Sequence, residues 1–131
     1  MLWPAIWPRL QKVLILIKSS NSPRRGEIWL ANTGGKRHAL VIISLDARNL
    51  SERTSSVLAV PFGSYGAEGP TSKRMESGET GLPEASFLKA HFISVVEKTA
   101  FIEKLPRSLA QRQMRELVAM VNRAIDPDAT F

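Results

Sequence analysis

From residue 27 onward, the apolar residues fall in short runs that have the composition and spacing of β-strands. Polar or glycine-containing loops separate these runs. The pattern predicts strands at EIWLAN (27–32), HALVIISL (38–45), SVLAVPF (56–62), TSKRME (71–76), SFLKAHFISVVE (86–97) and FIEKL (101–105). The near-continuous apolar run at 38–45 is typical of a central strand, the polar run at 71–76 indicates an edge strand, and the long segment at 86–97 is expected to bend midway.

The hydrophobic period changes near the end of the chain. Over residues 108–125, apolar residues recur at spacings of three and four, which predicts a helix with one buried face; they are Met114, Leu117, Val118, Val121 and Ile125. Ser108 and Gln111 form a capping-box pattern at the start of this helix, and Pro127 is expected to end it. The fold class expected is mainly β with a C-terminal helix, as a small closed β-barrel or a strongly bent sheet.

Residues 1–23 differ from the rest of the chain. Pro4 and Pro8 break the sequence into short pieces, and the apolar run VLILI (13–17) is far shorter than the roughly 20 residues of a membrane helix. The basic residues also fall too late for a signal peptide. We expect an N-terminal arm and linker over 1–23, one barrel domain over 24–126 and a tail over 127–131, in a cytoplasmic protein with no membrane partner. Deletion of residues 1–22 is expected to leave the fold intact and to weaken only salt-sensitive binding.

The net charge of +6 is concentrated in the arm, because residues 1–25 carry five basic and no acidic residues. The remaining 106 residues carry 13 basic and 12 acidic residues. A polyanion site must therefore be local and not a property of the whole domain. The chain has no cysteine and only two histidines, which excludes disulfides, thiol chemistry and cysteine-based zinc sites. No cofactor and no metal are expected.

The stretch GGKRHALVII (34–43) places basic side chains at the mouth of the most strand-like run. Gly34 and Gly35 allow a tight turn with positive φ, which would hold Lys36 and Arg37 at the rim of the sheet. The planar guanidinium of arginine suits phosphate oxygens and stays charged at any relevant pH. A solvated hairpin turn is the alternative interpretation.

Further candidates come from the later strands. Ser64 ends the segment PFGS, where its hydroxyl could bind a phosphate or a ribose, although serine is also a common turn residue. Lys89 and His91 alternate along the long strand and are expected to share one face with Phe87. An imidazole beside a cation suits acid–base work near neutral pH, and a half-exposed strand face is the alternative.

Other catalytic motifs do not occur in the sequence. There is no GxSxG, Walker loop, GxGxxG or carboxylate pair with convincing spacing. Asp46, in SLDARN, is expected to cap a turn or a short helix with Asn49 and not to perform catalysis.

Taken together, these segments resemble the MazF/PemK family of toxin–antitoxin ribonucleases over about residues 24–125. The segments that carry the resemblance keep the family's order and spacing: RRGEIWL (24–30), GGKRHALVII (34–43), SLDARN (44–49), VLAVPFGS (57–64) and GETGLPEASFLKAHFISVVEK (78–98). The resemblance implies an SH3-like barrel that forms a homodimer. It also implies neutralisation by a small acidic antitoxin, with DNA binding by the toxin–antitoxin complex.

The activity implied by the resemblance is metal-independent cleavage of single-stranded RNA. The ribose 2′-hydroxyl attacks the adjacent phosphorus and leaves a cyclic phosphate and a free 5′-hydroxyl. This chemistry needs a base or oriented hydroxyl, a cation at the developing charge and a donor for the leaving oxygen. Arg37 occupies the position of the family's catalytic arginine.

The sequence departs from the family at several positions. Gly63 stands where the family's catalytic hydroxyl residue falls, and Ser64 is one step further on. His38 replaces the proline that usually follows the arginine, and Lys89 and His91 stand where some relatives carry an arginine and an aspartate. We therefore predict catalytic roles for Arg37 and Ser64. The other candidates for catalysis or RNA binding are Lys36, His38, Gly63, Lys89 and His91.

Two other functions remain open. The first alternative is a barrel of the same fold that binds RNA or a protein partner without cleaving it. The second is a gyrase-poisoning branch of this fold, which uses a C-terminal Trp-Gly-Ile. This sequence reads DPDATF at its end, so this function is the less favoured of the two.

Overall fold

The computed structural model describes residues 22–126 and residue 128. The predictions for Pro127 and for nearly all of the N-terminal arm lie outside the described residues. The elements in chain order are β1 (Glu27–Thr33), β2 (Lys36–Ile42), α1 (Asp46–Asn49), β3 (Ser56–Gly63), β4 (Ser72–Met75), α2 (Ser77–Thr80), β5 (Ser86–Lys89), β6 (Ser94–Glu97), β7 (Phe101–Ser108) and α3 (Gln111–Ile125), with 3₁₀ turns at Ala90–Phe92 and Lys98–Ala100.

The strands form one antiparallel sheet in the order β4-β5-β3-β2-β1-β7, and β6 pairs with the first half of β3. β2 lies between β1 and β3, and β4 lies at an edge, as the sequence predicted. Within the described residues the two edge strands, β4 and β7, do not pair with each other. The fold class, mainly β with a C-terminal helix, is therefore confirmed, but the sheet is not closed, so a barrel describes it only approximately.

The long segment at 86–97 bends midway, as expected, and this bend divides it into β5 and β6. Ala90 is fully buried at the bend, and its amide donates to the carbonyl of Thr71 at 2.8 Å. The 3₁₀ turn that starts there lets both halves pair with β3. Gly63 lies opposite Phe87 of β5, and Ser56 lies opposite Glu97 of β6.

Alternating side chains of the sheet form two apolar layers, as strand geometry requires. One layer packs under α3, and its members include Ile28, Val41, Val60, Leu88, Met114 and Leu117. The other, inner layer lies on the opposite face of the sheet, and its members include Trp29, Ala31, Leu40, Ile42, Val57, Ala59 and Val96. Trp29 closes this second layer against Phe101, with ring centroids 5.8 Å apart.

The acidic residue of the opening strand has a structural role. The Glu27 carboxylate accepts hydrogen bonds from the Arg24 amide at 2.7 Å and from the Trp29 indole at 3.1 Å. Gly26 has a φ of 87°, and a Cβ built on it would lie 3.4 Å from the Leu109 carbonyl. The glycine therefore allows the start of β1 to approach the segment that leads into α3.

The helix starts later than the sequence predicted. Ser108 is the last residue of β7, because the amide of Leu109 donates to the Gly26 carbonyl at 2.8 Å and keeps the chain extended there. The Ser108–Gln111 capping box is therefore wrong. The amide of Ala110 donates instead to the Gln113 side chain at 2.8 Å, which is the backbone half of a capping box two residues further on.

The predicted apolar face of α3 is largely confirmed. Met114, Leu117 and Val121 are buried, and Val118 packs against the same layer. Ile125 is an exception, with 74% of its surface exposed at the last position of the helix. Among the described residues, no helix is both long and apolar enough to span a membrane.

Candidate active site

The β1–β2 hairpin places two cations at one end of the sheet. Its two-residue turn consists of Gly34 and Gly35, with φ angles of 60° and 80°, which is the geometry that matches the twist of paired strands. Lys36 and Arg37 follow as the first residues of β2, and both are exposed. In the described part of the chain, neither side chain forms a hydrogen bond or an ion pair.

The end of β3 lies beside the start of β2. β2 pairs with β3 through Leu40 opposite Pro61, and the same register carried outward would place Arg37 opposite Ser64. Ser64 lies just beyond β3 and is exposed. The structure therefore places Arg37 and Ser64 at the same end of the sheet, on neighbouring chain segments.

A side chain from the neighbouring strand occupies the space beside Gly63. A Cβ built on Gly63 would lie 2.8 Å from Cε and 2.9 Å from Nζ of Lys89, which is closer than real Cβ atoms approach a neighbour. A Cβ built on Gly66 would lie 3.5 Å from the same Cε. The Lys89 side chain therefore runs between the two glycines.

His91 does not lie on the strand that carries Lys89. β5 ends at Lys89, and His91 belongs to the 3₁₀ turn that follows, so the prediction of one shared strand face is wrong. The burial of Ala90 imposes this turn. The structure nevertheless brings both side chains to the Phe92 ring, whose centroid lies 5.9 Å from Lys89 Nζ and 4.3 Å from the His91 ring centroid.

The polar contacts of the two histidines differ. His91 is exposed, and its Nδ1 lies 3.0 Å from the Thr71 hydroxyl, a hydrogen bond that orients the ring. His38 is half-buried on β2, two residues before Leu40 of the inner apolar layer. Strand alternation therefore directs His38 toward the sheet face that also carries Gly63 and Lys89.

Asp46 and Asn49 have the structural role that the sequence predicted. Asp46 lies in the first turn of α1, where its Oδ1 accepts from the Arg25 amide at 2.8 Å and from Asn49 Nδ2 at 3.0 Å. Leu45, and not Asp46, occupies the N-cap position. The carboxylate therefore ties α1 to the start of the domain.

Two grooves of the domain lie away from the candidate residues. One groove of about 800 Å³ lies between β4 and α3, and a second of about 790 Å³ lies beside β7 and the loop after α1. None of the seven candidate residues lines either groove. Within the described residues, no three His, Cys, Asp or Glu side chains converge in a way that could hold a metal ion.

Two groups with shifted pKa values lie outside this site. The hydrogen bond from Lys73 lowers the pKa of Glu116 on α3, against a smaller opposing effect of burial. Burial lowers the pKa of Lys98, and the charge of Arg48 lowers it further. Neither group is adjacent in sequence to a candidate residue.

Sequence reasoning missed the role of three residues around Lys89 and His91. Gly66, Thr71 and Phe92 contact these side chains, but the sequence marks them only as loop or strand residues. A φ of 137° at Gly66 is the one local sign that a glycine is required there, and it appears only in the structure.

Solved structures with the same fold come from bacterial toxin–antitoxin systems. An endoribonuclease in complex with its cognate antitoxin, from a mycobacterial species, superposes with a TM-score of 0.69 at 21% identity over 83% of this chain and 100% of that chain. The Mycobacterium tuberculosis toxin MazF-mt6 gives 0.67 at 15% identity, over 76% of this chain and 96% of that one. MazE–MazF from Deinococcus radiodurans gives 0.65 at 17% identity, over 80% and 96%. No curated protein sequence matches the chain significantly.

The family is established by sequence. Residues 24–125 match the family described as the PemK-like, MazF-like toxin of type II toxin–antitoxin systems. This match covers most of the chain, from the turn before β1 to the end of α3. The chain therefore belongs to the PemK/MazF-like toxin family, and the resemblance inferred from its motifs is confirmed.

Proposed function

We propose that this chain is an endoribonuclease toxin that cleaves single-stranded RNA without a metal ion. Its family membership supports this, as do the structural neighbours described as endoribonucleases. The observation that carries the proposal is that three cations near one end of the sheet, Lys36, Arg37 and Lys89, have no carboxylate partner among the described residues. Cations available in this way suit an extended polyanion.

The proposed reaction is a transesterification at phosphorus. The 2′-oxygen attacks the adjacent phosphorus and gives up its proton to a base, while the bond from phosphorus to the 5′-oxygen breaks and that oxygen takes up a proton. The products are a 2′,3′-cyclic phosphate and a 5′-hydroxyl. The phosphorane carries more negative charge than the substrate, so the guanidinium of Arg37 would stabilise the transition state more than the ground state.

The remaining candidate residues would assist this step. His38 and His91 are the candidates for proton transfer, because imidazole exchanges protons near neutral pH. Ser64 would orient a phosphate or ribose oxygen through its exposed hydroxyl. Lys36 follows the hairpin turn directly and would hold a neighbouring phosphate of the RNA backbone.

We also propose that the chain forms a homodimer and is neutralised by a small acidic antitoxin. The open edges of the sheet support association, because exposed strand edges are usually paired or covered. The structural neighbours described as complexes with antitoxins support the second partner. Light scattering that shows a monomer at micromolar concentration would contradict the dimer.

One observation favours the alternative of a barrel that binds RNA without cleaving it. The position of the family's hydroxyl residue holds Gly63, and Lys89 fills the space there. If the hydroxyl were indispensable, this chain would keep the fold and the cations but would lack the chemistry.

The experiment that decides between these functions uses the purified full chain with a broad set of single-stranded RNAs in EDTA. Cleavage that leaves a cyclic phosphate and a 5′-hydroxyl is expected, and DNA of the same sequence should remain intact because it lacks the 2′-hydroxyl. Arg37→Ala should abolish cleavage, whereas Arg53→Ala should not, since Arg53 is an exposed arginine in the loop after α1. Intact RNA with a well-folded wild type would overturn the proposal and leave the binding function.

A further inference from the structure

The Lys89 side chain lies in a slot that requires two glycines. Its Cδ, Cε and Nζ would lie 3.3, 2.8 and 2.9 Å from a Cβ on Gly63, so any larger residue at that position would have to displace it. Gly66 lines the other side, where a Cβ would lie 3.5 Å from Cε and 3.7 Å from Nζ. The slot therefore fixes the ammonium at the end of β3.

The ammonium in this slot lacks a compensating negative charge. Among the described residues, every ion pair involves a cation other than Lys89. The Phe92 ring lies near it, with the ring centroid 5.9 Å from Nζ, at the outer limit of a cation–π contact. Because no carboxylate among the described residues pairs with this ammonium, its charge is available to an anion from outside the chain.

We infer that Lys89 binds the scissile phosphate and that Gly63 is the positioning residue that makes room for it. This inference rests on the proposed function and deepens it. Where the family carries a hydroxyl side chain at position 63, this chain has an empty Cβ position and an ammonium from the neighbouring strand. A lysine–glycine pair thus takes the place of the hydroxyl, and Lys89 stabilises the charge on a non-bridging oxygen of that phosphate.

If the Lys89–Gly63 pair takes the place of the hydroxyl, the effects of substitutions at Gly63 and Lys89 should be coupled. The atoms that a Cβ on Gly63 would meet are the far end of a flexible side chain, and Gly63 does not have a positive φ. Gly63→Ala should therefore fold normally but push the ammonium out of the slot. Lys89→Met keeps most of the aliphatic stem and removes the charge. The two substitutions should act on the same interaction, so the double variant should be no worse than either single one.

The test is a double-mutant cycle with Gly63→Ala and Lys89→Met in the full chain. Each single variant should lower kcat for RNA cleavage by about 100-fold, as expected for loss of one preorganised contact to the transition state. The double variant should fall within about twofold of the single variants, which is within the usual error of such cycles. Gly69→Ala is the matched control, because a Cβ on Gly69 meets nothing within 4 Å. This control should leave kcat unchanged.

A binding measurement separates this inference from the proposed function. The probe is single-stranded RNA with a 2′-deoxyribose at the cleaved position, or throughout if the wild type cleaves none. Lys89→Met and Gly63→Ala should each reduce the slope of log Kd against log salt by about 0.7, the value for one lost phosphate contact. A purely structural role for Lys89 would leave this slope unchanged.

The outcomes are distinct. A wild type that leaves RNA intact overturns the proposed function, and the salt slopes then still decide whether Lys89 binds a phosphate. A wild type that cleaves RNA while Lys89→Met retains full kcat and an unchanged slope overturns the inference alone. Independent, additive losses in the double variant would also overturn it, because Gly63 would then not act through Lys89.

Discussion

Polar side chains cluster at both ends of β2, but the two clusters differ in whether their polar groups have hydrogen-bond or ion-pair partners within the domain. The cluster after β2 centres on Asn49, which is fully buried. Its Nδ2 donates to the Ser44 carbonyl at 2.8 Å and to Asp46 Oδ1 at 3.0 Å, and its Oδ1 accepts from the Ser44 hydroxyl. Every polar atom of this asparagine side chain has a partner within the domain.

The cluster before β2 has the opposite character. Lys36 and Arg37 are exposed, and the described residues offer neither of them a carboxylate. Buried polar groups that satisfy one another specify a fold, whereas cations left without partners at a sheet end are available to an external anion. We therefore propose that the first cluster serves stability and the second serves function.

The largest effect expected from this assignment is the loss of activity in Arg37→Ala. Cleavage should fall by about 100–1,000-fold, the range for removal of one preorganised group that stabilises transition-state charge. The free energy of unfolding should change by less than about 0.5 kcal/mol, because the side chain is exposed. Single-turnover kinetics and urea unfolding measure the two quantities. A large loss of stability would place Arg37 in the structural cluster instead.

Asn49→Ala should show the reverse pattern. The substitution leaves the Ser44 hydroxyl and carbonyl without their buried partner, so the free energy of unfolding should fall by about 2–3 kcal/mol. Asn32→Ala is the matched control, since Asn32 is exposed on β1 and should change stability by less than about 0.5 kcal/mol. Cleavage per folded molecule should remain near the wild-type value in Asn49→Ala. A selective loss of cleavage would contradict the structural assignment.

The sequence predicted the elements of the fold better than their boundaries. Strand period, the glycine turn and the helical period all depend on local chemistry, and the strands and the final helix lie where these signals placed them. The start of α3 was missed because a long-range hydrogen bond between Leu109 and Gly26 keeps the chain extended past Ser108. No local pattern around Ser108 reports the position of Gly26.

In the candidate site, too, some features follow from local sequence and others depend on contacts between distant segments. The Gly34–Gly35 turn and the exposure of Lys36 and Arg37 follow from local sequence, and the structure has both. His91 is separated from the strand of Lys89 because the chain turns at the buried Ala90. The space beside Gly63 is occupied by the Lys89 side chain of a neighbouring strand. These are contacts between segments, so strand alternation alone could not predict them.

Ser64→Ala tests a smaller contribution at the functional end of the sheet. The exposed hydroxyl would orient an oxygen without neutralising charge, so its loss should lower cleavage by less than the roughly 100-fold lower bound for Arg37→Ala. Ser55→Ala is the control, because Ser55 is an exposed serine just before the other end of β3. Rate measurements on both variants give the comparison. A loss of cleavage in Ser64→Ala as large as in Arg37→Ala would make the hydroxyl a principal catalytic group, although Ser64 lies one residue beyond the position that the family resemblance implies for it.

The smallest effect is expected at a cation that does have a partner. Lys73 of β4 forms an ion pair with Glu116 of α3, and both side chains are nearly 40% exposed or more. The hydrogen bond from Lys73 lowers the pKa of Glu116 in the folded chain. The pair therefore stabilises the fold above the ordinary glutamate pKa of about 4.3, and this stabilisation is lost as the pH falls through the lowered value.

Solvent screening at this exposure limits the stabilisation by this pair to less than about 1 kcal/mol. Glu116→Gln should therefore be slightly less stable than wild type at pH 7, and the difference should vanish under acid conditions where Glu116 is protonated. Urea unfolding of both proteins across this pH range measures the difference directly. RNA cleavage should be unchanged, because Lys73 lies in the groove between β4 and α3 and not at the end of the sheet with Arg37. A loss of cleavage in Glu116→Gln would extend the functional surface to that groove and would weaken the distinction between paired and unpaired cations.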